Sequence, residues 1–224
     1  MRSILVVNAK GGSGKSTLAC NLASFFACWG VEVSLVDLDR QGSAWDWLRA
    51  RPDDLAPIHG LRGKADRPLP EQGDYRILDV PSGLEGEPLD RMLELADTVI
   101  VPVLPSPVDI RAAGRFIAEL LHSPTRHPQQ RICVVANRCR ATTRSYRALE
   151  NFLTHLDIPF IARLRDTQNY LRAAEQGRGI FELPTREVVK DLVDWQPLVA
   201  WISGDPRLIV VPELGSREEL AGDR

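Results

Sequence analysis

No run in this 224-residue chain stays apolar for the roughly 18 residues that a membrane span requires. Nor is there a basic-then-apolar leader. The chain passes from Met1 straight into the strand-like SILVVN, and a reducing cytoplasm is the expected compartment. Cysteine is sparse: Cys20, Cys28, Cys133 and Cys139 form no C-x-x-C pair, and no histidine stands at zinc spacing. Cys20 and Cys28 fall inside an apolar helical pattern and read as small core residues. A large net charge is missing too. The formal total of -2 points to no polyanionic partner. There is no internal repeat and no linker, so residues 1–203 are expected to form one domain, with residues 204–224 as a loosely held tail.

The charge that is present is unevenly placed. Residues 111–178 hold 12 arginines, no lysine and five acidic residues, a local surplus of seven positive charges. This is either an electrostatic footprint for a partner or a solvated arginine-rich surface. Short β-branched runs at residues 3–8, 31–39, 75–80, 98–103, 131–137 and 158–164 read as buried strands. Between them lie helical patterns at residues 16–29, 44–50, 87–96, 106–122 and 144–156, followed by two more at 167–176 and 185–202. Residues 51–73, with four prolines, are expected to be loop with one short strand. Strand and helix alternating in this way give an α/β fold: a doubly wound, mostly parallel sheet with helices on both faces. Trp195 and Trp201 recur with Leu192 and Leu198 at helical spacing, the mark of a packed last helix.

The first strand runs into NAKGGSGKST, residues 8–17. A glycine-rich turn between strand and helix aims backbone N–H groups and a helix N-terminus at phosphate oxygens. The phosphate-loop pattern G-x-x-x-x-G-K-[ST] is met from Gly14 onward, with Ala9 in place of the first glycine. Gly11, Gly12, Ser13, Gly14 and Thr17 would wrap the phosphates, Lys15 would reach the β- and γ-phosphates, and Ser16 would ligate Mg²⁺. Asp79 ends one apolar strand, where a Mg²⁺-holding acid belongs, and Asp37 and Asp39 end another. Taken singly, each aspartate could be a helix cap or a turn residue. Lys10 is left over, a second lysine among the glycines.

Together KGGSGKST, LVDLDRQGS and ILDVPS resemble the deviant Walker A ATPases of the ParA/MinD family, and VIVPVLPSPVDIRAAG extends the likeness to roughly residues 1–183. It is nearest to small ParA-type partition ATPases without an N-terminal DNA-binding domain. The resemblance implies that Lys10 is the signature lysine, which crosses a nucleotide-sandwich dimer to the partner copy's ATP; the plain alternative is a solvent-facing loop lysine. It implies that Asp39 positions the attacking water, that Asp37 lies near the Mg²⁺, and that Gly12 stays small where two loops face each other. Asn137 resembles the adenine-binding residue, or else is a turn asparagine. The chain departs from many relatives at Arg40, where they have proline, and at Ser82, where they have a second proline.

The function implied is that of an ATPase, slow unless stimulated by a ParB-like or cargo-adaptor protein. As an ATP-bound homodimer it would hold non-specific DNA on the nucleoid and position a cargo. Arg163, Arg165, Arg172 and Arg178, with Arg140, Arg144 and Arg147, are the candidate DNA contacts; for any one of them a solvated helix face is the alternative. Two other readings are a MinD-like membrane-cycling ATPase and a metal or iron–sulfur carrier. The first needs a basic amphipathic tail, whereas this tail is broken by Pro212 and ends acidic. The second needs cysteines at a dimer seam. No membrane partner is expected.

Overall fold

The computed structural model describes residues 1–63, 69, 73–140, 142–156 and 158–204. Seven strands make one sheet: β1 (Arg2–Val6), β2 (Val33–Asp37), β3 (His59–Arg62), β4 (Tyr75–Asp79), β5 (Thr98–Val103), β6 (Arg131–Cys139) and β7 (Phe160–Arg165). Their order is β3-β2-β4-β1-β5-β6-β7, and every neighbouring pair is parallel. Parallel strands need crossovers, and helices supply five of them. These are α1 (Lys15–Cys28), α2 (Ser43–Arg49), α3 (Gly86–Leu95), α4 (Pro107–His122) and α5 (Arg144–Leu153); α6 (Asn169–Glu175) and α7 (Thr185–Ser203) follow the last strand.

Alternate residues of the five inner strands, β1, β2, β4, β5 and β6, feed two cores, while edge strand β3 is exposed along its length. Ile4, Val6, Leu35, Ile77 and Val135 face α1, α2, α6 and α7. Leu5, Val36, Leu78, Val101 and Val134 face α3, α4 and α5. These inner strands are therefore apolar on both faces, which is why they read as continuous runs. Helix α1 follows β1 on one face, and α4 follows β5, the next strand, on the other. The crevice outside the strand ends opens where the chain diverges in this way.

The short strand expected between residues 51 and 73 is β3, at the sheet edge. Trp195, Leu192 and Leu198 are buried, while Trp201 is half-buried beneath the Arg131 guanidinium. One expectation for α1 needs correction. Cys20 is buried, but Cys28 is exposed, as is Trp29 just beyond it at 44%. The last turn of a helix has no following turn to cover it, and Gly30, at φ 70°, swings the chain away toward β2.

A further contact had no sequence signal. Gly177 and Gly179 lie so close to Ala50 and Ser24 that a side chain at either would collide with them. This brings Ile180 N to donate to Asn21 Oδ1 at 2.6 Å and buries an Arg51–Glu182 ion pair. The tail expected at residues 204–224 lies outside the described residues beyond Gly204. Among the described residues, no helix is long and apolar enough to cross a membrane.

Candidate functional site

Strand register assembles the site. Val6 pairs with Asp79, and Asp79 with Asp37, so the ends of β1, β4 and β2 are level. The glycine-rich turn leaves β1 at that level and becomes α1, with Gly14 as its N-cap at φ 91°. A β-carbon on Gly14 would strike Asn137 Nδ2. Two constraints thus require glycine there, the left-handed backbone and the close approach. Gly14→Ala is expected to destabilise the protein by about 2 kcal/mol or more and to abolish nucleotide binding, read by thermal melting and fluorescent-nucleotide titration. Gly12, at φ 79°, has nothing among the described residues within 4 Å of such an atom, so an alanine there meets only the backbone penalty of about 1 kcal/mol.

A cleft of about 310 Å³ opens over the turn, lined by residues 11–12 and 14–17 with Asp39, Gln41, Ser43, Ser82 and Arg138. Burial lowers the Lys15 pKa, against the pull of Asp79 and Asp39. Asp79 is fully buried, and among the described residues neither of its carboxylate oxygens completes a hydrogen bond. Burial pushes its pKa up to about 7; the Ser16 hydroxyl lies close enough to oppose this without completing a bond. An orphaned buried carboxylate beside a hydroxyl is a fit for a cation.

Asp37, also fully buried, accepts from Asp39 N at 2.9 Å and from Trp45 N at 2.7 Å. It therefore caps α2, and burial still raises its pKa despite those two bonds. Among the described residues, no three acidic, histidine or cysteine side chains cluster tightly enough to hold a metal by themselves. The arrangement suits an ion that shares its coordination with phosphate oxygens and water.

Other sequence candidates are placed as follows. Asp39 lines the cleft and accepts from Gln41 N at 3.0 Å. Asn137 does not line it. Its Nδ2 donates to Ser13 O at 2.8 Å and its Oδ1 accepts from Arg138 N at 2.9 Å, so its carboxamide braces the loop against β6. Lys10 does not line the cleft either; its ammonium lies 2.8 Å from Asp109 Oδ1 at the start of α4.

The arginines divide. Arg165 bonds Asp194 at 2.9 Å and lies 3.2 Å from buried Asp191; Arg172 pairs with Glu187 and Arg140 with Asp166; Arg163 stacks over Tyr146. Arg144 and Arg147 are exposed on α5, and they and Arg178 make no ion pair among the described residues. Sequence reasoning missed Gln41, Ser43 and Arg138 as cleft residues and Asp109 as the partner of Lys10. Ser82 was visible as a departure from the family pattern. Arg138 had a signal in its position directly after Asn137.

Fold and cleft define a phosphate-loop nucleotide-binding α/β protein. The family model described as CobQ/CobB/MinD/ParA nucleotide binding domain matches residues 4–180, and the chain belongs to this family of nucleotide-binding ATPases. It is 32% identical over 189 residues to the maintenance of carboxysome distribution protein A of Gloeobacter kilaueensis, covering 81% of this chain and 84% of that protein. Against the protein of the same name from Halothiobacillus neapolitanus, identity is 27% over 196 residues, with 82% and 88% covered.

Two solved structures share the fold. An ATP complex of a Cyanothece McdA variant has a TM-score of 0.69 at 16% identity, covering 89% of this chain and 96% of that one. The MinC:MinD cell division protein complex of Aquifex aeolicus has a TM-score of 0.69 at 18% identity, covering 92% and 96%.

Proposed function

We propose that this ParA-like ATPase closes face to face around two ATP molecules, binds DNA without sequence preference in that state, and positions a cargo through partner-stimulated hydrolysis. The observation that carries the reading is the division of labour between two lysines. Lys15 is buried in its own cleft, whereas Lys10 lies outside it with its side chain 42% exposed. A cation held outside its own phosphate site can serve that of a second copy. Gly12 supports the same reading, since nothing among the described residues crowds it.

Ser16 would hold Mg²⁺ with the nucleotide phosphates, and Asp79 and Asp37 would act through its waters; the ion would supply charge neutralisation at the phosphates. Asp39 would orient the attacking water. The cargo class follows the relatives' names: a carboxysome, plasmid, chromosome region or protein cluster, reached through an adaptor that stimulates turnover.

For DNA, ion pairing sorts the arginines. Arg144 and Arg147 are free to meet phosphates, while Arg165 already serves two aspartates on α7. The double variant Arg144→Ala/Arg147→Ala is expected to weaken ATP-dependent DNA binding and reduce its log-log salt slope by about 2 per protomer, with stability nearly unchanged. Arg165→Ala is expected to cost about 2 kcal/mol of stability, because Asp191 and Asp194 lose their counter-charge. Salt-titrated DNA binding and urea melts check both. DNA binding that ignores ATP would sink the proposal. Sedimentation with anionic liposomes in place of DNA would move it to a membrane-cycling role.

A further inference from the structure

Arg138 is the only non-glycine residue with positive φ among the described residues, at 51°. Such a conformation is uncommon for a side chain of this size and persists only where its surroundings impose it. Here the cause is a bulge. Ala136 pairs with Arg163 and Cys139 with Arg165, so Asn137 and Arg138 together oppose the single residue Leu164. Both flanks are pinned. Asn137 Oδ1 accepts from Arg138 N at 2.9 Å, and Cys139 O accepts from Asp166 N at 3.0 Å. A bulge of this kind re-aims a side chain, and beside a functional cleft it is a common positioning device.

The re-aimed side chain arrives at the phosphate cleft. Arg138 lines it together with Gly14, Lys15, Ser16 and Thr17, and it is exposed. Its guanidinium makes no hydrogen bond or ion pair among the described residues, unlike those of Arg140, Arg163 and Arg165 on either side in the fold. Its position is tied to the loop itself, because the preceding side chain holds Ser13 O and abuts Gly14. A strained backbone thus presents an unpaired, permanently charged fork to the part of the loop whose amides cradle α- and β-phosphates.

We infer that Arg138 is a nucleotide-binding residue that clamps the α/β-diphosphate of the bound nucleotide, the bulge being the device that aims it. The inference rests on the nucleotide-binding reading of the cleft. Because ADP and ATP share that diphosphate, Arg138 would contribute to binding both and little to the bond-breaking step.

Arg138→Ala is expected to weaken ADP and ATP binding alike, by roughly tenfold to a hundredfold, and to raise KM for ATP with kcat nearly unchanged. Arg138→Lys should recover part of the loss. Arg138→Gly separates side chain from backbone: it should bind ADP as weakly as the alanine variant, yet melt about 2 °C higher than wild type without nucleotide, because the left-handed strain is relieved. The experiment is isothermal titration with MgADP and MgATP on the three variants and wild type, paired with thermal melts. Wild-type ADP affinity in Arg138→Ala would overturn the inference alone. Absence of nucleotide binding by wild type would overturn the reading of the cleft beneath it. An Arg138→Gly protein that binds ADP like wild type would assign the residue a backbone role only and also overturn the clamp.

Discussion

Lys10→Ala is expected to lower ATP turnover by roughly 10³-fold, the scale of losing a cation supplied in trans, and to leave the protein monomeric with ATP. Its fold should persist. The Lys10 side chain is 42% exposed while that of Asp109 is 11% exposed, so removing the lysine is expected to cost about 1–2 kcal/mol of stability, far less than the loss of turnover. The same contact provides the control. Asp109 anchors the start of α4, where its N–H donates to Ser106 Oγ at 3.2 Å. In the free chain it holds the lysine that a dimer would require elsewhere. Asp109→Asn keeps the shape and removes the attraction, so turnover should stay within a few-fold of wild type or rise. Phosphate release and sedimentation with ATP read both variants. If the two fall equally, Lys10 acts through Asp109 within its own subunit, and the trans role is lost.

The second large effect concerns Asp79. Its pKa of about 7 in the folded chain lies above the unfolded value of about 4, so the native state binds the extra proton across that window. Stability of the nucleotide-free protein is therefore expected to fall as pH rises from about 4 to about 7, by on the order of a few kcal/mol, and to level off above it. Asp79→Asn removes the buried charge. It should melt at a higher temperature than wild type at pH 8, lose that pH dependence, and lose Mg²⁺-dependent turnover by roughly a hundredfold or more. With MgATP bound, the wild-type pH dependence should flatten, since the carboxylate then has a counter-charge. Melting curves across pH, with and without MgATP, decide it. A wild-type protein whose stability rises through this window would contradict the burial argument.

The parts of the site that were legible in the sequence are those built from contiguous residues. Gly14, Lys15 and Ser16 announce themselves because strand, turn and helix must follow one another directly to make a phosphate cradle. Asp37 and Asp79 were legible as strand-end acids because a buried parallel strand is an apolar run with a definite end. What each carboxylate does was not. Asp37 caps α2 through Trp45 N, while Asp79 completes no hydrogen bond among the described residues, and that contrast depends on where α2 starts relative to β4. Nor could the arginine-rich segment be sorted by composition. Arg165 and Arg144 look alike in sequence, yet one is paired with the buried face of α7 and the other is not.

The sequence by itself determined the family, the α/β order of elements and the phosphate loop, because local spacing and strand-length apolar runs encode those directly. Tertiary structure alone decided that Lys10 meets Asp109, that Asn137 braces the loop, and that Arg138 reaches the cleft. Each of these joins segments about 100 or more residues apart, and the last depends on one extra residue in β6. A single-residue bulge reverses which way a side chain points. No pattern along the chain records it, because the bulge exists only relative to the strand beside it.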